Sequence, residues 1–122
     1  MAGWIKIHRK MVDWEWYHDI NTKTLFLHLL LTANHDSKKW QGYLIERGQK
    51  ITSINHLSSE TNLSPQQVRT SLKKLKSTNE ITIKTTNKNT LITILKYSDY
   101  QDKDEDNNKQ NNIRNNNWAT NK

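Results

Sequence analysis

Apolar residues follow two rhythms along this chain, and the switch between them separates helix from strand. From Ser64 to Ser77 the rhythm is helical. Val68, Leu72 and Leu75 recur at i, i+4 and i+7 and form one apolar stripe. Ser64 has the side chain of a helix cap. Pro65 suits the first helical position, where no backbone N–H is needed, and Gln67 completes a capping box. At about 100° per residue, Gln66, Thr70, Lys73 and Ser77 point away from the stripe, with Arg69 and Lys74 on its flanks. From Ile81 the rhythm is two. Ile81 to Thr86 alternates, Asn87-Lys88-Asn89 has turn chemistry, and Thr90 to Tyr97 is β-branched and apolar.

The segment before Ser64 predicts a partner helix. Ser53 is its cap, and Ile54 and Leu57 share a face. The chain turns at Asn62-Leu63, where Asn tolerates a left-handed backbone and Leu63 fills the gap between the helices. Two helices followed by a hairpin with a cationic tip is the order of a winged helix-turn-helix. An ordinary helical hairpin with a solvated polar face shares the first half of that pattern; the hairpin is what distinguishes them.

Further upstream, Trp4 to Arg9 alternates and predicts a short strand. Met11 to Tyr17 brings Trp14, Trp16 and Tyr17 close together. A first helix is expected after Asn21, with Ile20 and Leu25 as a hydrophobic staple around its cap. Leu25, Phe26, Leu29, Leu30 and Ala33 give it a wide apolar face, extended by Leu27 and Leu31. So broad a face suits a central helix, or one that also packs on a partner. Trp40 to Arg47 reads as strand or extended chain punctuated by Gly42 and Gly48. The expected fold class is α+β: a small winged helix-turn-helix domain with an N-terminal strand and a C-terminal β-hairpin wing over residues 1–101. Residues 102–122 are expected to be a disordered tail. Seven of the eleven residues from Asn107 to Asn117 are Asn, too polar a tract to bury a core of its own. Trp118 is its one large aromatic.

Charge sharpens this picture. The 122 residues carry a net charge of +7. Residues 64–97 hold seven cations against Glu80 alone, a net of +6, whereas the four acids and four bases from Asp102 onward cancel. The excess positive charge therefore lies on the second helix of the pair and the wing, as nucleic-acid binding requires. Gln66, Gln67 and Thr70 are the expected base-edge residues, since Gln can pair bidentately with adenine. Arg69, Lys73, Lys74, Lys84 and Lys88 are the expected phosphate contacts. Lys84 and Lys88 also suit the protection of an edge strand against aggregation, a role compatible with a phosphate contact.

Composition narrows the rest. There is no signal peptide and no run of about 20 apolar residues, so neither secretion nor membrane contact is expected. Cysteine is absent, which excludes disulfides and thiolate metal sites and suits a cytoplasmic protein. His8, His18, His28, His35 and His56 lack metal-ligand spacing, and structural or surface roles are expected for them. No Gly-rich phosphate loop or nucleophile elbow is present, so the expectation is a protein that is not an enzyme and takes no cofactor. Trp14, Trp16 and Tyr17 could stack on single-stranded bases, but a small domain needs its aromatics inside, and core packing is the stronger expectation.

From Gly3 to Gln101 the chain resembles the winged-helix N-terminal domain of replisome-organiser and DnaD-type replication-initiation proteins of bacteriophages and prophages. The matching pieces are Gly3 to Arg9, Asp13 to Tyr17, Ala33-Asn34-His35, Gly48-Gln49 leading into Thr52-Ser53, Ser64 to Leu75, Glu80 to Ile94, and Tyr97 to Gln101. Their order and spacing carry the resemblance. It implies a domain that binds double-stranded DNA, and often itself, while a replication complex assembles. Self-association would use the N-terminal aromatics and the first helix. The second reading is a phage-encoded interaction module or inhibitor that docks its basic winged-helix face on a host replication or defence protein.

Overall fold

A computed structural model describes residues 3–102. The described residues are α+β, with four helices and two small antiparallel sheets among them. After a 3₁₀ turn at Arg9–Asp13 come α1 (Ile20–Thr32), β1 (Lys38–Trp40), β2 (Tyr43–Ile45) and β3 (Gln49–Thr52). Then follow α2 (Ile54–Thr61), α3 (Pro65–Ser77), β4 (Ile81–Thr85), β5 (Thr90–Ile94) and α4 (Tyr97–Asp102). The tail expectation, including Trp118, lies almost wholly on residues outside those described.

The helix pair forms as its local chemistry dictates. Ser53 Oγ accepts from the His56 N–H and caps α2. Asn62 takes the left-handed conformation at φ 65° and ends it. Leu63 packs against the core between the helices. Ser64 Oγ then accepts from the Gln67 N–H while Gln67 Oε1 accepts from the Ser64 N–H, so both halves of the capping box are made. Val68, Leu72 and Leu75 are buried, as their spacing predicts. Ser71 is buried with them, and the Thr22 hydroxyl of α1 donates to its Oγ at 3.2 Å.

The three-stranded sheet has the order β3-β5-β4, all antiparallel. Its inner face gives Ile81, Ile92 and Ile94 to the core. Leu25, Phe26, Leu29 and Leu30 of α1, Leu57 of α2, and Met11, Trp14 and Tyr97 complete that core. The wing turn closes between Thr86 and Asn89, where the Thr86 N–H donates to the Asn89 carbonyl at 2.8 Å. The short β1–β2 hairpin turns at Gln41-Gly42, both at positive φ, as a tight two-residue hairpin needs.

Three sequence expectations are corrected. Residues 4–9 form no strand. The main chain of Lys6 instead pairs with a side chain: its N–H donates to Gln101 Oε1 at 2.9 Å, and Gln101 Nε2 donates to its carbonyl at 3.2 Å. A side-chain amide offers the same donor and acceptor as a peptide group, so the alternating segment is held without a neighbouring strand. The first helix starts at Ile20, capped by Asp19, whose carboxylate accepts from the Thr22 N–H. Ile20 is 70% exposed and makes no staple. Within Trp40 to Arg47 the expected strand is present on both sides of Gly42, and Gln41-Gly42 folds it into the hairpin. The last strand stops at Ile94, short of Tyr97. Its neighbour β3 begins at Gln49, and the Ile94 N–H takes the Gly48 carbonyl at 2.9 Å. Lys96 then turns left-handed at φ 65° and Tyr97 opens α4. Gly48 must be glycine here: its φ is +82°, and a Cβ would lie 2.7 Å from Tyr97 Cβ.

The connection from α3 to β4 carries a partly buried carboxylate. Glu80 Oε2 accepts from the Trp14 indole at 3.0 Å, and its Oε1 accepts from the Thr78 hydroxyl. The Trp16 indole in turn donates to Thr78 Oγ1 at 2.9 Å. Burial raises the Glu80 carboxyl above the usual range, and the Thr78 and Trp14 hydrogen bonds only partly offset this.

Two predictions follow from this packing. Leu72→Ala opens a cavity under α3 and costs about 2–5 kcal/mol, while Lys73→Ala next to it costs far less. Equal thermal midpoints for Leu72→Ala and wild type would show that α3 is phased otherwise. The second concerns Glu80. Because its folded pKa is raised, its contribution is fully present below the unfolded pKa, about 4.3, and is lost as pH rises through the raised value. Glu80→Gln cannot ionise, so its stability relative to wild type should climb as pH rises above about 4.3. Parallel melting-temperature profiles for the two proteins above that pH would contradict it.

Candidate nucleic-acid interface

The capping box sets where α3 starts, and the buried stripe sets how it is rotated. Together they leave Gln66, Gln67, Arg69, Thr70, Lys73, Lys76 and Ser77 exposed. Gln66 Nε2 donates to Thr70 Oγ1 at 3.3 Å, one helical turn along, which links two of the expected base-edge residues on one row. Gln67 commits its Oε1 to the cap, which leaves its Nε2 as donor.

Gln66, Gln67 and Thr70 share a shallow polar concavity of about 130 Å³ with Ser71, Lys74, Asp19 and Asn21. The first turn of α1 thus forms one wall and α3 the other. Lys74, expected at a phosphate, is already in an ion pair: its Nζ lies 2.6 Å from Asp19 Oδ2. It also lies 5.7 Å from the centre of the Trp16 ring. Partial burial pushes the Asp19 carboxyl upward. Hydrogen bonds from Lys74 and Thr22, with the charge of Lys74, more than offset this and hold it below the usual carboxylate range.

Sequence reasoning missed Asp19 and Asn21. Asp19 was legible as a helix-capping residue type, but its contact with Lys74 spans 55 positions and left no local signal.

The wing cations are less united. Lys88 is exposed between the strands, in the Thr86–Asn89 turn. Lys84 is exposed too, but it lies on the outer face of the sheet, in a row with Leu91 and Ile51. That row borders an apolar cleft of about 180 Å³, closed on its other side by Tyr43, Leu44 and Ile45 of the small hairpin. The fold therefore gathers Gln66, Gln67, Thr70 and Lys74 into one concavity. Arg69 and Lys73 sit on the same helix, Lys88 in the wing turn, and Lys84 at a separate cleft.

The remaining polar clusters are accounted for by packing. His28 Nε2 lies 2.8 Å from Glu60 Oε1, with Lys50 Nζ at 4.0 Å, a bridge joining α1, α2 and β3. The His28 hydrogen bond holds Glu60 below the usual carboxylate range against a smaller opposing effect of burial. Trp14 is buried, and Trp16 and Tyr17 are half-buried against the core, so these aromatics serve packing. Among the described residues, no group of three or more His, Asp or Glu side chains could hold a metal ion. No helix among them is long and apolar enough to cross a membrane.

Compared with models of protein families, with curated proteins and with solved structures, the chain matches none.

Proposed function

We propose that this chain is a non-catalytic winged-helix protein that binds double-stranded DNA, with α3 in the major groove and the β4–β5 wing on the backbone. The observation that carries this reading is the outward face of α3. It presents Gln66, Thr70, Arg69 and Lys73 to solvent on a helix whose opposite stripe is fully committed to the core. A major groove about 12 Å wide admits one such helix. Gln66, Gln67 and Thr70 supply the donors and acceptors that read base edges. Arg69, Lys73 and Lys88 supply mobile cations for phosphates. The element order supports the winged-helix assignment. A strand precedes the helix pair, a hairpin follows it, and β3 joins that hairpin beside β5. A role in phage replication initiation or its regulation rests on the sequence resemblance.

A second reading is favoured by exposed apolar surface. Trp4 is 70% and Leu31 59% exposed, and both border a shallow concavity with Ile5, Ala33 and Tyr97. Tyr43 and Leu44 are exposed at the apolar cleft. Contiguous apolar surface of this kind suits self-association through the N-terminal aromatics and α1, or docking on a host replication or defence protein.

The deciding measurement is duplex affinity as a function of salt. Binding should weaken linearly in log–log form as salt rises. Lys73→Ala with Lys88→Ala should weaken all sequences alike and reduce the slope by about 2, one for each lost phosphate contact. A double variant that binds duplexes unchanged would remove α3 and the wing as the interface. Absence of duplex binding by wild type, with a host protein retained in a parallel pull-down, would favour the docking reading.

A further inference from the structure

The ion pair at the mouth of the α1–α3 concavity bears on this interface. Among the cations expected at phosphates, Lys74 is the one that sits beside the base-reading residues and also carries a carboxylate partner at 2.6 Å. Asp19 is held in place independently of Lys74. It caps α1, and its Oδ1 accepts from the Thr22 N–H at 3.1 Å while Oδ2 receives Lys74. One carboxylate therefore does two jobs with two oxygens. Its side chain is only partly exposed, and the Lys74 side chain is more open to solvent. A phosphate reaching Lys74 would have to share its ammonium with Asp19, and it would meet a fixed negative charge in the same concavity.

We infer that Asp19 is a specificity-determining residue of the DNA interface: it withholds Lys74 from phosphates and so lowers sequence-independent affinity. This deepens, and rests on, the DNA-binding reading above. Phosphate contacts supply affinity without sequence information, whereas contacts to base edges discriminate. Neutralising one cation beside the base-reading residues removes affinity that every sequence shares. The contribution of Gln66, Gln67 and Thr70 then becomes a larger fraction of the total. The ratio of specific to non-specific binding is the quantity that decides occupancy among many competing sites.

The test is Asp19→Asn in the full chain. Asn caps a helix as well as Asp, so α1 keeps its cap while the charge is removed. The melting temperature of the variant, read alongside, should stay close to that of wild type. Binding to several unrelated duplexes should tighten together. The salt slope should steepen by about 0.9 for one added phosphate contact, an advantage that grows about 3- to 4-fold between about 200 and about 50 mM salt. Lys74→Ala in the Asp19→Asn background should abolish the gain over wild type. If Asp19→Asn leaves affinity and slope unchanged, or if its gain over wild type survives the added Lys74→Ala, Asp19 does not withhold Lys74. The inference then falls while DNA binding stands. If wild type shows no salt-dependent duplex binding at all, the DNA-binding reading falls and takes the inference with it.

Discussion

The packing of α1 on α3 is the contact on which the outward surface depends. The seam includes Thr22 and Ser71, both fully buried and hydrogen-bonded to each other. Small side chains allow two helices to approach closely, and their hydroxyls satisfy one another where water is excluded. With that seam made, Val68, Leu72 and Leu75 face the core. A rotation of α3 by one residue, about 100°, would drive Lys73 toward the interior at a prohibitive desolvation cost. The polar row of Gln66 and Thr70 is outward because this seam holds the helix in one orientation. The Asp19–Lys74 pair lies at the rim of the same seam, so interface chemistry and core packing share a boundary.

A second constraint ties the wing to the helices. Glu80 sits between the end of α3 and the start of β4. Its carboxylate receives the Trp14 indole, its own N–H donates to the Leu75 carbonyl, and its carbonyl accepts from the Leu95 N–H. Three segments far apart in sequence meet at this residue. Placing an ionisable group there has an energetic cost, visible as its raised pKa. In return the direction of the hairpin leaving α3 is closely determined. The aromatic cluster of residues 14–17 thereby acts as a brace. Its indole N–H groups find partners at Glu80 and Thr78, as tryptophans in or against a core require.

The lysines expected at DNA show how charge counting differs from charge placement. Six positive charges concentrate on α3 and the wing in sequence. In space they divide. Arg69, Lys73, Lys76 and Lys88 are exposed, Lys74 is engaged by Asp19, and Lys84 borders an apolar cleft with Leu91 and Ile51. Period-two alternation already assigned Lys84 to the face opposite Ile81 and Ile83. Only the β1–β2 hairpin folding over that face turned it into the rim of a cleft.

What the sequence by itself determined was whatever short-range chemistry decides. The cap and stripe of α3, the left-handed Asn62, the cap of α2 and the two strands around Asn87-Lys88-Asn89 all rest on residues within a few positions of one another. Each was legible from side-chain type and spacing. The tertiary structure decided what depends on partners far along the chain. Residues 4–9 alternate like a strand, yet Gln101, 95 positions from Lys6, satisfies the Lys6 backbone with a side chain. Tyr97 belongs to a helix because β3 offers β5 no neighbour beyond Gly48. Lys74 reads as a free cation until Asp19 is brought beside it across 55 positions. Local propensity is additive along the chain, but a hydrogen bond or ion pair between distant segments exists only after packing has placed both partners.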